Sequence, residues 1–231
     1  MRRHIPLILA VLIIMPTLTW AAIGIGTPCT GFGAAASSLS INTCTANGSN
    51  TLVIAGFRFY TNGQAVTAVT YGGVTMTLLR AEAFTAPDFE ARQYVLINPP
   101  SGTQTFTVSF DGAVDIDAIV VPFTGVNQSA ATGTPNGAHG GATGASIDLA
   151  SAAGEVVLDF LYAFDTTGLT IGAGQTQQAS IGNVRASTEA GAATTTMSWT
   201  WTNSDTYLML GVPIKPAAVV TRRRGGPLWL D

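Results

Sequence analysis

Charge is the scarcest property of this 231-residue chain: Asp, Glu, Lys and Arg make up 10% of it, against 47% hydrophobic residues. So much apolar material with so little charge excludes a disordered chain. Helical periodicity is nearly absent beyond the N-terminal leader. Gly, Thr, Ser, Ala and Asn fill the space between apolar runs, which suits turns and strand faces and carries little charge for helix surfaces. Basic residues are few and placed at the ends. Arg2 and Arg3 open the chain, and Arg222, Arg223 and Arg224 stand together near its C-terminus, so the body of a chain of net charge −3 is acidic. That argues against a nucleic-acid surface on the folded part.

Histidine is almost missing as well. With His4 in the leader, His139 alone could serve a Ser-His-Asp triad, and no Gly-x-Ser-x-Gly elbow is present. His139 sits in the glycine-rich stretch Asn136-Gly137-Ala138-His139-Gly140-Gly141, read here as a solvated loop. The two cysteines have no histidines near them and make no zinc site.

The N-terminus carries the first positive signal. Arg2, Arg3 and His4 form a basic start, Ile5 to Met15 is an uncharged apolar run, Pro16 breaks it, and Thr19-Trp20-Ala21 ends on small residues at a peptidase's two inspection sites. This reads as a signal-peptide helix cut after Ala21, giving a secreted or cell-surface protein. The alternative is an uncleaved membrane anchor, since the chain stays uncharged from Ile5 to Ile25. Export also explains Cys29 and Cys44: an even count in an oxidising compartment implies one disulfide, with two buried free thiols as the alternative. Closing a loop of about 15 residues stabilises by roughly 3 kcal/mol in the chain-entropy model.

What fills the rest is alternation. From Thr103 to Phe110 the residues Phe106, Val108 and Phe110 face one way, while Thr103, Thr105, Thr107 and Ser109 face the other. Asn98-Pro99-Pro100-Ser101-Gly102 precedes this strand and Asp111-Gly112 follows it. Ala65–Tyr71 and Val74–Leu79 flank a Gly72-Gly73 hairpin turn. Longer apolar runs, including Thr51–Tyr60, Ala113–Phe123, Glu155–Phe164 and Thr206–Ile214, suit strands covered on both faces, ending near Pro122 and Pro213. Roughly ten strands are too many for one open twisted sheet, so the expected fold is an all-β, two-sheet antiparallel β-sandwich. The expected organisation is leader 1–21, disulfide-bearing segment 22–50, sandwich 51–216 and basic tail 217–231. Thr124 to Ala145 reads as a long loop between two halves. Each half opens on an apolar run and closes on Val121-Pro122-Phe123 or Val212-Pro213-Ile214, a hint that the halves are related.

The signatures Val69-Thr70-Tyr71-Gly72-Gly73-Val74, Asn98-Pro99-Pro100-Ser101-Gly102-Thr103 and Gly172-Ala173-Gly174-Gln175-Thr176 resemble those of bacterial, metagenomic and phage-associated extracellular β-sandwich proteins. The resemblance spans about Asn50 to Pro216. It implies a jelly-roll-like fold and an extracellular or virion-surface setting, and it assigns no catalytic residue.

Three sets of residues could carry function. Asp115 and Asp117 share a strand face and Asp159 lies mid-strand in another run, weak candidates for Ca²⁺ or for a glycosidase pair, although no glutamate completes the alternating acidic pattern. No other cofactor is implied. Met197, Trp199 and Trp201 share one strand face, either as core or as a stacking platform for sugar rings. Asn136 and His139 would join them as ligand contacts. The basic tail could contact anionic surfaces, with Trp229 and Leu230 entering an interface. The expected function is a secreted, non-catalytic surface or binding module for glycans or cell-envelope components, able to form homo-oligomers. The alternative is a phage or virion-like structural or adhesion protein, with a β-sandwich glycoside hydrolase third.

Secreted protein should begin at Ala22 on N-terminal sequencing, and recovery of Met1 in a membrane fraction would establish the anchor instead.

Overall fold

The computed structural model describes residues 18–61, 63–85 and 88–220, so residues 1–17 of the expected leader and the Arg222–Arg224 cluster lie outside the described residues, while Leu18–Trp20, expected as the end of a leader helix, is a strand. Every described element is a strand. The first half comprises β1 (Leu18–Trp20), β2 (Gly24–Ile25), β3 (Cys29–Ala46), β4 (Leu52–Tyr60), β5 (Val66–Tyr71), β6 (Val74–Thr75), β7 (Thr77–Thr85), β8 (Asp88–Ile97) and β9 (Gly102–Thr124). The second comprises β10 (Asn136–Leu149), β11 (Val156–Ala163), β12 (Thr170–Ile171), β13 (Thr176–Ile181), β14 (Val184–Ala190), β15 (Thr195–Ile214) and β16 (Ala218–Val220).

These strands build two antiparallel sheets, one of them curled nearly into a barrel, and β1 pairs with β16 as a separate ribbon. The two sheets share one plan. The first runs β3-β9-β4-β8-β7, with β5 and β6 beside the early part of β9. The second runs β10-β15-β11-β14-β13, with β12 beside the early part of β15. Register agrees as well: Leu52 lies opposite Ile97 and Phe123, and Val156 lies opposite Ala190 and Ile214. The related halves hinted at by the two Val-Pro-aliphatic endings are therefore present as a repeated topology.

In each half the long strand and its edge partner double back. Residues 29–33 of β3 pair with the late part of β9, while 38–46 pair with the early part. Cys29 and Cys44 consequently meet, 5.2 Å apart at Cα, and form the expected disulfide. The bend passes through Ala35, which has φ +46° and whose amide donates to Asp115 (2.8 Å). The doubled first sheet encloses one core, including Phe57, Phe59, Tyr71, Phe106, Val108 and Phe110. The second sheet encloses another around Ile147, Leu161, Met197, Trp199 and Trp201. Between the sheets lies a third, where Leu52, Ile54, Phe89 and Val121 meet Leu158, Phe160, Leu208 and Leu210. Each fully buried side chain of this size contributes about 1.5–3 kcal/mol.

Some expectations need correction. The stretch Thr124–Ala145 is a loop only up to Pro135, because β10 begins at Asn136; its glycines and alanines hid a strand whose partner is far away in sequence. Likewise the disulfide-bearing segment 22–50 holds the long strand β3, and β9 runs unbroken through Asp111-Gly112. Both long strands end just past their prolines, as expected.

One polar pair interrupts the layer between the sheets. Arg58 Nε donates to Asp117 Oδ2 at 2.7 Å, both residues are buried, and the Arg58 guanidinium also lies 5.2 Å from the centre of the Tyr60 ring. Removing one partner leaves the other charge buried and uncompensated. Asp117→Ala should therefore cost about 3–5 kcal/mol of stability by urea denaturation; a loss under about 1 kcal/mol, the range of exposed pairs, would show the pair to be solvated.

Candidate functional site

His139, the one histidine among the described residues, is exposed and lies where the two sheets adjoin. There β7, an edge of the first sheet, runs beside β10, an edge of the second. His139 Nδ1 is 2.9 Å from Glu82 Oε2, and Arg80 Nε donates to Glu82 Oε1 at 2.9 Å. The His139 side chain is 48% exposed while that of Glu82 is 10% exposed, so the carboxylate is a buried anchor for an accessible ring. Gly137 makes this possible: a Cβ there would sit 2.7 Å from the Glu82 carboxylate and 2.8 Å from Arg80.

An aromatic belt continues from this cluster. The Phe84 ring meets His139 edge-on at 5.9 Å, and Phe84 pairs across the strands with Phe89. Phe89 packs on Phe164 at 4.9 Å, and Phe164 on Tyr60 at 5.8 Å. Phe84, Phe164 and Tyr60 are only half-buried, so ring surface lies open along the seam.

The other residues singled out from sequence are scattered. Trp199 and Trp201 are buried, at 1% and 4% exposure, so their rings are core and offer no face to a sugar. Asn136 and His139, three residues apart on one strand, point to opposite faces; the Asn136 amide donates to the Asp148 carbonyl (3.0 Å), tying β10 to itself. Asp115 and Asp117 do share a face, but the first braces the β3 bend and the second is held by Arg58. Asp159 points into the core of the other sheet. The three carboxylates thus do not converge, and among the described residues no group of three His, Cys, Asp or Glu side chains could hold a metal.

Asp159 is nonetheless unusual. It is fully buried, accepts from Trp199 Nε1 (2.6 Å) and the Ser187 amide (3.1 Å), and also bonds the Ser187 hydroxyl. Burial pushes its carboxyl up to about 7, against the pull of the Ser187 and Trp199 donors. Burial likewise raises the Tyr162 hydroxyl well above its ordinary value, with the nearby Asp159 charge adding to the effect.

Outside, the first doubled ribbon shows rows of hydroxyls. One row crosses four strands as Ser40, Thr107, Thr70 and Thr75. Neighbouring contacts order it further: Ser40 with Thr107 (3.2 Å), Thr45 with Thr103 (2.9 Å) and Thr105 with Asn42 (3.1 Å). Sequence reasoning set Thr103, Thr105 and Thr107 on the face opposite Phe106 but could not align them with partners on other strands. Glu82, Arg80 and Phe84 it passed over, because a strand carrying them looks like any solvated edge.

No family model, curated protein or solved structure matches the chain.

Chemically, the seam offers an imidazole braced by a carboxylate. Its Nδ1 hydrogen bond goes to Glu82. What the seam presents is shallow: ring edges, one guanidinium and one imidazole.

Proposed function

We propose that this protein is a jelly-roll-like sandwich exported from its cell, acting as a non-catalytic surface module that binds glycans or cell-envelope material at the β7–β10 seam. The observation that carries this reading is the exposed His139, held by Glu82 and Arg80 at the end of a half-open aromatic belt. Stacking surface beside a few fixed hydrogen-bonding groups is what a sugar ring requires, and a shallow site of this kind binds weakly unless presented many times over. The Cys29–Cys44 bond is in keeping with an oxidising compartment. The hydrolase reading has no comparable support, since Asp117 is neutralised by Arg58 and Asp159 lies in the other sheet.

A second reading, a phage or virion-like structural or adhesion protein, is favoured by β3. This edge strand is 18 residues long and has no charged side chain. Long edges without charge are templates for pairing with another chain, and native monomers ordinarily guard them with lysines, bulges or prolines. Only irregularities near residues 33–44 guard this one.

Multivalent protein on a broad glycan array separates the two readings. The seam reading expects binding that falls about tenfold or more in His139→Ala and Arg80→Ala variants whose urea midpoints are unchanged. No signal on the array, together with ordered self-assembly that Ser40→Lys blocks, would establish the structural reading instead.

A further inference from the structure

The two doubled ribbons match residue by residue where glycine turns flank them. Phe106, opposite the Tyr71 that precedes one such turn, corresponds to Trp199, opposite the Ile171 that precedes another. From there Ser40 and Thr107 of the first ribbon correspond to Gly144 and Thr200 of the second. By the same register Asn42 and Thr105 correspond to Ser146 and Ser198. In the first ribbon these outer groups satisfy one another, Ser40 with Thr107 (3.2 Å) and Thr105 with Asn42 (3.1 Å). In the second, Gly144 has no hydroxyl to offer Thr200. The neighbouring Thr196 hydroxyl donates to Asp148 (2.6 Å) and the Ser198 amide to Gln175 (2.7 Å). Yet among the described residues the hydroxyls of Ser146, Ser198 and Thr200 have no hydrogen-bond partner within the protein.

These open hydroxyls stand around a concavity. The register of β10 shifts between Ala142 and Gly144, and the elbow so formed holds a shallow hollow of about 300 Å³. Its walls include Gly144, Ser146, Ser198, Thr200 and Tyr207, and no charged residue lines it. Tyr207 has its own counterpart. Counting from the Leu52–Phe123 and Val156–Ile214 pairs, the fully buried Phe59 and Ile116 of the first half become Ala163 and Tyr207. The ring has thus moved from the central strand to the long one, where it is only half-buried. Gly140 admits it, since a Cβ there would come within 3.2 Å of the ring, and Trp201 meets it edge-on at 5.8 Å. Trp201 is 4% exposed, and its Nε1 has no acceptor among the described residues. Gly144 keeps the floor bare, because a Cβ there would sit 2.9 Å from the Trp199 carbonyl oxygen. In the first half the bend is instead braced by a charge, Asp115, which accepts from the Ala35 amide (2.8 Å).

We propose, building on the glycan-binding reading, that this elbow of the β10–β15 ribbon is a second subsite that takes an uncharged sugar ring. The apolar face of a pyranose stacks on Tyr207, and its hydroxyls meet those of Ser146, Ser198 and Thr200. Hydroxyls both donate and accept, so they suit a ring that does the same. An acidic sugar would give up hydration here with no cation to replace it. The elbow is separate from the seam: His139 and Gly140 are adjacent on β10, so their side-chain directions lie on opposite faces.

The test presents multivalent wild type, Tyr207→Leu, Thr200→Val and His139→Ala to immobilised neutral glucan, mannan and galactan oligosaccharides, with oligogalacturonate as the acidic probe. Wild type should hold at least one neutral chain more tightly than oligogalacturonate. That binding should fall about tenfold or more in Tyr207→Leu, which removes the stacking ring. It should fall about threefold to tenfold in Thr200→Val, which removes one hydrogen bond. His139→Ala should leave it unchanged. Thr200 is exposed, so its valine variant serves if Tyr207→Leu does not keep the urea midpoint of wild type. Wild-type affinity in either folded variant would overturn the elbow while leaving the glycan reading in place. Equal loss in His139→Ala would merge the elbow with the seam, and a preference for oligogalacturonate would refute the sugar class. No binding by wild type to any chain would overturn the elbow and the glycan reading together.

Discussion

The constraint on which the rest of the molecule depends is that β4 and β11 are covered on both faces. Each runs through the middle of its sheet, with one face in an enclosed core and the other in the layer between sheets. A strand in that position cannot alternate apolar with polar, and both run nearly unbroken in hydrophobic residues. It also has little room. Gly56 lies directly against the Phe160 ring, so the two sheets approach at a point where any side chain on β4 would collide with β11. The sheets are held at that distance, and the seam between β7 and β10 is the margin of the same contact.

Two-sided burial also explains why the few charges of the interior stand out. A carboxylate in such a strand must be paired, hydrogen-bonded or protonated. Asp117 takes the first course with Arg58, whose guanidinium packs over Tyr60 and Phe89. Asp159 takes the second, held by Ser187 and Trp199. Neither is available to an incoming ligand, and for that reason the accessible chemistry of the molecule lies at the edges.

How much of this was readable beforehand follows from how local each signal is. Alternation along Thr103–Phe110 is a property of one strand, so its inner and outer faces were legible, and Phe106, Val108, Phe110, Leu158, Phe160, Leu208 and Leu210 are all buried as the pattern implies. The disulfide was legible because only two cysteines exist. By contrast β3 and most of β10 are built from Gly, Ala, Ser and Thr, whose hydrophobic contrast is too low to register a period, and their pairing partners lie far along the chain. The tryptophan stripe was legible as a stripe, but whether it faced core or solvent depended on the ribbon folding over it. The seam was illegible altogether, since Glu82 and His139 are 57 residues apart and meet only when two sheets do.

The repeated plan gives those departures a common logic. Where both halves use the same solution, as in the Leu52–Phe123 and Val156–Ile214 pairings beside their prolines, packing alone dictates the residue. Where they differ, packing permits more than one answer and something else selects. The closure of the doubled ribbon is such a place: a covalent bond in the first half, one side-chain amide in the second. The enclosed core is another, with Ala55 against Asp159. Both differences point the same way. The first half is closed by a bond that survives any pH, and the second by hydrogen bonds around a buried acid. The shared plan sets where strands must pair, and the closures show that one topology accepts either a covalent or a hydrogen-bonded fastening.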